Sequence, residues 1–204
     1  MENLSAENSL RIITETIERS RNAIAKNTGK PLILWGALVT LTSIIIWVLW
    51  DKTGNPMWNL LWFAMTAIGA FCTFLMTRNQ EKVPESETKR ILGCIWKWFG
   101  CFAVGLYALL WVAALILYAQ GDESVITVNL SLILSLMMGL CGAISGAVMK
   151  MKSVTAAAVV ATILSVLLVL LVPNGSPLQI LSFAILGIIA LIVPGVIFQK
   201  KATK

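Results

Sequence analysis

The chain has 204 residues, of which 58% are hydrophobic and 13% are charged, and its formal net charge is +6 at neutral pH. Soluble domains typically contain about 45–50% apolar and about 25% charged residues, so this composition excludes an ordinary soluble domain. The mean hydropathy of +0.84 indicates a membrane protein instead. Unbroken apolar runs such as ILSVLLVLLV favour spanning helices over the alternating strands of a membrane barrel.

The first predicted element is an amphipathic helix within residues 1–29. Four aliphatic residues recur at spacings of three, four and seven and share one helix face: Leu10, Ile13, Ile17 and Ile24. Gly29, followed by Pro31, predicts that this helix ends before the first span begins. The segment is therefore expected to be a separate cytoplasmic helix.

Three roles are open for the apolar stripe of this helix. It can lie in the lipid interface, pack on the bundle or a neighbouring copy, or bind a cytoplasmic protein. Residues 1–30 carry five basic and four acidic side chains, a mixture poorly suited to binding anionic lipid alone. Protein contact is favoured, and the four aliphatic residues are the partner-binding candidates.

The remaining residues, 30–204, predict a six-span membrane domain. A hydrocarbon core of about 30 Å requires about 20 mostly apolar helical residues. Six such stretches contain no Asp, Glu, Lys or Arg: 31–50, 57–77, 98–119, 126–149, 155–172 and 178–198. The predicted fold class is all-α, an integral six-helix bundle preceded by an amphipathic helix.

The distribution of basic residues predicts the orientation. Fifteen of the 16 Lys and Arg residues fall on one side of this topology, and only Lys52 falls on the other. Positively charged flanks remain cytoplasmic during insertion, so both termini are predicted to be cytoplasmic. Membrane lipids are the expected partner of this charge, and no nucleic acid is needed to explain it.

Small residues in the fourth and fifth spans predict a helix–helix contact. Residues at spacings of four, three and four form a ridge on the fourth span: Ser135, Gly139, Gly142 and Gly146. The matching groove on the fifth span consists of Ala157, Ala161 and Ser165. Small residues at such spacings let two backbones approach closely, so these spans are expected to touch.

The stretch GLCGAISGAV in the fourth span resembles the nucleophile motif of rhomboid intramembrane proteases, which also have six spans. The resemblance places Ser145 at the nucleophile position, but Ala143 replaces the first glycine of the motif. A serine nucleophile needs a base, and the chain contains no histidine. No catalytic residue, metal ligand or cofactor is therefore predicted, and the protein is expected not to be an enzyme.

Two further features suggest movement or binding within the bundle. Uncharged polar residues near the outer ends of the helices form a possible outward-facing pocket: Asn59, Tyr118, Asn129 and Gln179. The simpler interpretation is that such side chains hydrogen-bond to water near the headgroups. Pro194 lacks the N–H that would bond to the Ala190 carbonyl, so it predicts a kink, and with Gly195 it forms a possible hinge. A frayed helix end is the simpler interpretation.

Two resemblances extend these expectations. SLRIITETIERSR followed by PLILWG, within residues 9–36, is similar to the start of a group of small bacterial inner-membrane proteins with a helical lead-in. That resemblance implies a bacterial cytoplasmic membrane and no particular activity. Six spans in about 200 residues also resemble the substrate-capturing subunits of energy-coupling-factor vitamin transporters.

Two functions are therefore weighed. The first is a non-enzymatic membrane anchor or sensor whose cytoplasmic face engages a protein partner or a second copy. The alternative is a small transporter subunit or oligomeric channel that uses the outer polar residues.

Overall fold

The computed structural model describes residues 2–78, 87–120 and 129–202, and the regular structure in these ranges is helical throughout. Six of its helical segments are long and apolar enough to cross a membrane. They are Gly29–Thr53, Pro56–Arg78, Glu87–Leu117, Leu130–Val148, Lys152–Leu171 and Pro177–Lys200. The expected all-α architecture with six long apolar helices is therefore observed.

Helix α1 runs without interruption over Glu2–Thr53. The predicted end of the leading helix at Gly29 is wrong, because Pro31 lies inside α1. A proline inside a helix removes one hydrogen bond and usually kinks or ends the helix. Here Gly29 is buried against the last span and Leu32 packs on a buried cluster, so tertiary contacts hold the chain on both sides of the proline.

The second and third spans extend beyond the apolar stretches that predicted them. Asn55 caps a short 3-10 helix, Pro56–Leu60, by accepting a hydrogen bond from the Met57 N–H, and helix α2 (Leu61–Arg78) follows. Helix α3 (Glu87–Ala119) begins well before the predicted position 98. Its first turn contains Glu87, which pairs with Arg90 at 3.2 Å on an exposed surface.

Helices α4 (Leu130–Val148) and α5 (Lys152–Leu171) form a tight hairpin. Lys150 occupies the turn with φ of +52°, and its N–H donates to the Ala147 carbonyl. The Met151 N–H donates to the Gly146 carbonyl, which closes the end of α4. This left-handed turn lets the two helices pack along their whole length.

The last span is irregular. It comprises a 3-10 helix (Pro177–Ile180), helix α6 (Leu181–Leu186), a π-helix (Gly187–Ile192) and helix α7 (Val193–Ala202). This span and α1 form the centre of the bundle, and α5 also packs on the last span. Half of the most apolar window of the last span is buried, the largest share of the six segments.

Helix α3 is peripheral. Of the described residues of α3, only Leu92 is buried. Leu92 belongs to a cluster with Met149, Val154 and Phe198. This cluster closes the end of the bundle that contains Gly29, which we call the terminal end. The opposite end carries Asn59, Asn129 and Gln179.

Candidate functional site

The N-terminal part of α1 exposes large apolar side chains. Leu10, Ile12 and Ile13 are 66%, 60% and 54% exposed. Leu10 and Ile13 belong to the predicted partner-binding stripe, whereas Ile12 lies on another face and is not among the predicted residues. The side chains of Ile17 and Ile24, the other two candidates, lie outside the described part of the chain. Leu10 and Ile13 thus share an exposed apolar face of residues 8–16, which we call the docking surface.

Two glycine pairs bring α1 and the last span into backbone contact. A methyl group added at Gly29 would lie 2.8 Å from the Gly195 carbonyl oxygen, and one at Gly195 would lie 2.9 Å from the Gly29 carbonyl oxygen. Gly36 and Gly187 form the same reciprocal arrangement, with distances of 2.7 and 2.9 Å. Because backbone atoms occupy the space of each missing side chain, only glycine fits at these positions. We call the two pairs the glycine contacts.

Sequence reasoning missed the glycine contacts. It assigned Gly29 to a helix end and Gly195 to a hinge, and it assigned no role to Gly36 or Gly187. The available signal was the seven-residue spacing of Gly29 and Gly36, which places two small residues on one helix face. The spacing of Gly187 and Gly195 is eight, so a regular helix would not have indicated a shared face.

Helix α1 also binds α2 through a tryptophan. The Trp35 ring lies against Gly69, where an added methyl group would come within 2.8 Å of the ring. The Trp35 indole Nε1–H donates to the Thr73 hydroxyl oxygen at 2.9 Å. Together with the glycine contacts, this bond fixes α1 between α2 and the last span.

The possible hinge residues lie in the first turn of α7, which follows the π-helix. Pro194 is the second residue of α7, is fully buried, and is followed by Gly195 in contact with α1. The departure from α-helical geometry thus precedes the proline and has the form of a π-helix. Such segments are rare and often occur at functional sites.

The predicted small-residue ridge lies against α5. A methyl group at Gly142 would be 3.0 Å from the Ala158 Cβ, one at Gly146 would be 2.5 Å from the Thr155 nitrogen, and one at Gly139 would collide with Thr162. Of the predicted groove residues, Ala161 and Ser165 are buried, but Ala157 is only half-buried. The neighbours of the three glycines are instead residues not predicted: Thr155, Ala158 and Thr162.

Buried serines connect three helices in the bundle. The Ser165 hydroxyl donates to the Ser182 carbonyl oxygen at 2.7 Å and lies 3.3 Å from the Ser135 Oγ. All three residues are fully buried. Ser135 thus contributes a polar contact as well as a small side chain, which links α4 and α5 to α6.

The predicted pocket residues divide into two groups. The Asn129 side chain caps α4 by accepting from the Leu132 N–H at 3.0 Å, and its Nδ2 donates to the Asn174 Oδ1 at 3.0 Å. The buried Gln179 Nε2 lies 3.4 Å from the same Asn174 oxygen. Asn174 therefore joins Asn129 and Gln179, although it was not among the predicted pocket residues.

Asn59 bonds elsewhere. The Asn59 side-chain Nδ2 donates to the Pro56 carbonyl oxygen at 3.0 Å. The Asn59 backbone carbonyl oxygen accepts from the Tyr107 hydroxyl at 2.6 Å. The side chain of Tyr118 lies outside the described part of the chain. Of the four predicted pocket residues, the structure therefore brings Asn129 and Gln179 together.

A depression of about 380 Å³ lies beside this polar group, lined by Asn129 and by residues 169–174. Asn129 and Asn174 supply the polar side chains of its wall, and these bond to each other. The Gln179 Nε2 donates to the carbonyls of Val169 and Val172 at 3.1 and 3.2 Å. The group thus satisfies much of its own hydrogen-bonding capacity, and it closes the turn between α5 and the last span.

Within the described ranges no group of three or more His, Cys, Asp or Glu side chains is placed to hold a metal ion. Comparisons with protein-family models, with curated proteins and with solved structures gave no match to the chain.

Proposed function

We propose that the protein is a non-enzymatic, multi-pass protein of the bacterial cytoplasmic membrane, with both termini in the cytoplasm. Its function is to anchor or sense a protein partner that binds the docking surface on α1. The orientation follows from the 15 basic residues assigned to the side of the termini. The six apolar segments support the multi-pass membrane location.

The observation that carries the proposal is the uninterrupted α1 with an exposed apolar surface at its start. The first described residue of α1 that is buried is Gly29. At 1.5 Å per residue, residues 8–16 precede it by about 20–30 Å of helix axis. The headgroup layer on each side of a bilayer is only about 5–8 Å thick. A helix that continues in the direction of its span therefore carries Leu10, Ile12 and Ile13 beyond the lipid.

Continuity of α1 also supports a sensing role. The membrane part of the same helix packs on the last span through the glycine contacts. A partner that tilts or pulls the docking surface acts on one continuous helix, since no loop separates this surface from the bundle. The force is thus transmitted to the centre of the membrane domain.

The test is capture of partners from native membranes by crosslinking and mild-detergent pull-down. Leu10→Glu with Ile13→Glu places two charges on the docking surface. The matched control, Asn8→Glu with Ile12→Glu, adds the same two charges to exposed positions on the opposite face of the same helix. We expect a cytoplasmic protein captured with the parent and the control to be lost with the double variant at Leu10 and Ile13.

The contrary result is equally clear. If the parent captures no cytoplasmic protein, the proposed partner does not exist. If both double variants retain the same partner, the docking surface is not where that partner binds. Capture of only further copies of this chain would assign the surface to self-association.

The alternative, a transporter subunit or channel, is supported by one observation, the depression beside Asn129 and Asn174. Solute uptake into vesicles that contain the protein tests it. Asn129→Ala with Asn174→Ala would abolish such uptake, whereas the charges at Leu10 and Ile13 would not alter it.

A further inference from the structure

The two glycines of the last span that contact α1 are one residue further apart in sequence than the two glycines of α1 that they contact. Gly29 and Gly36 are seven residues apart, and Gly187 and Gly195 are eight apart. At about 100° per residue, seven residues of α-helix return to within about 20° of the starting direction, whereas eight end about 80° away. A regular α-helix would therefore turn Gly187 or Gly195 away from α1.

The π-helix lies between these two glycines and takes up the additional residue. Its bonds close at i→i+5, as in the bond from the Val193 N–H to the Ile188 carbonyl. This wider turn accommodates one more residue than an α-helical turn. As a result both Gly187 and Gly195 lie in backbone contact with α1.

Pro194 favours a π-helix at this place. In a regular helix the ring of Pro194 would clash with the Ala190 carbonyl, to which it has no N–H to donate. The π-helix ends at Ile192, two residues before Pro194, and Pro194 and Ala190 are both buried. The wider turn therefore relieves a steric conflict in the packed interior of the bundle.

We propose that this π-helix is a register adjuster. It stores one residue in the last span, so that the span can shorten by one residue while both glycine contacts stay closed. The register of the last span against α1 is therefore set at this point, and loss of the additional residue leaves both glycine contacts in place. This proposal depends on the contacts within the bundle and not on partner binding to the docking surface.

Single-residue deletions test the adjuster. Ile188 lies in the π-helix and is 46% exposed, and its deletion makes the glycine spacing seven. Ile163 lies in the regular helix α5 and is 53% exposed, which makes it a matched control. Because the shortened helix would again place the ring of Pro194 against the Ala190 carbonyl, both deletions are made together with Pro194→Ala. In this background we expect the Ile188 deletion to keep a monodisperse protein that melts within a few degrees of the Pro194→Ala protein in mild detergent. The Ile163 deletion should lower the melting temperature strongly, because it rotates Ser165 and Val169 out of the core.

A second substitution shows whether the glycine contact survives the deletion. In the parent, Gly195→Leu places a side chain against Ile33 and Gly29 and should lower the melting temperature. If the register is restored, the same substitution lowers the melting temperature equally in the Ile188-deleted chain. The proposal is overturned if deletion of Ile188 is as damaging as deletion of Ile163. It is also overturned if Gly195→Leu becomes harmless after the deletion, since Gly195 would then have turned away from α1.

Discussion

Substitution of Gly36 by alanine tests the packing of α1 on the last span most directly. The added methyl group would lie 2.7 Å from the Gly187 carbonyl oxygen, 2.7 Å from the Ile192 Cγ1 and 2.9 Å from the Leu191 Cβ. A comfortable carbon–oxygen contact is about 3.3–3.6 Å, so the two backbones must separate by about 0.6–0.9 Å. The carbonyl belongs to a helix held by Gly195 and Pro194, and it cannot rotate away as a flexible side chain could.

We expect Gly36→Ala to destabilise the protein by about 1–3 kcal/mol, the usual cost of an additional methylene in a well-packed core. The matched control is Gly105→Ala on α3, where an added methyl group meets nothing within 4 Å. There the higher helix propensity of alanine should stabilise the protein by up to about 1 kcal/mol. Reversible unfolding of both variants in mixed micelles, followed by tryptophan fluorescence, measures the difference.

The difference in unfolding free energy between Gly36→Ala and Gly105→Ala shows whether the two backbones are in contact. If Gly36→Ala is as stable as Gly105→Ala, the backbones of α1 and the last span are not in contact at this level. The assignment of the glycine contacts would then fall, and with it the mechanical link from α1 to the last span.

Three further contacts of the bundle are tested by substitutions in the same unfolding assay. Lys150→Gly should stabilise the α4–α5 turn by about 1 kcal/mol, because glycine adopts the observed positive φ without the steric cost of a side chain; an unchanged stability would count against a left-handed turn. Gln179→Leu should cost about 1–3 kcal/mol, since buried carbonyls lose their donor, whereas Gln120→Leu at an exposed position should change little, and equal effects would exclude a structural role for Gln179. Trp35→Phe and Thr73→Val each remove one partner of the same hydrogen bond, so their effects should be non-additive by about 0.5–1.5 kcal/mol; simple additivity would show that the bond is not formed.

Much of the architecture was accessible from the sequence because the bilayer imposes a strong, local requirement. Backbone groups in hydrocarbon must be satisfied within the segment, so an apolar stretch of sufficient length predicts a helix without knowledge of its neighbours. The six apolar segments follow from this requirement. The ridge at Gly139, Gly142 and Gly146 was accessible for a related reason, since small residues at helical spacing favour close packing.

Other features depended on residues far apart in the chain. The sequence around Gly29 and Pro31 predicts a helix end, and local propensity alone gives no reason for α1 to continue. Continuation is compatible with the contacts of Gly29 on Gly195 and of Leu32 on the cluster at the terminal end. Likewise, the neighbours of the ridge are Thr155, Ala158 and Thr162 and not Ala157. These neighbours depend on how α5 is rotated about its own axis relative to α4, and the small residues of α5 alone do not define that rotation.

The amino-acid sequence by itself therefore determined the class of the protein and the number of its apolar segments. It also determined the amphipathic pattern of the first residues, because hydropathy and helical periodicity are local properties. Only the tertiary structure decided that α1 is one continuous helix, that the last span contains a π-helix, and that Gly36 and Gly187 touch. These features arise where the backbones of α1 and the last span pack closely. Such packing depends on the register between two segments that are about 150 residues apart in the chain.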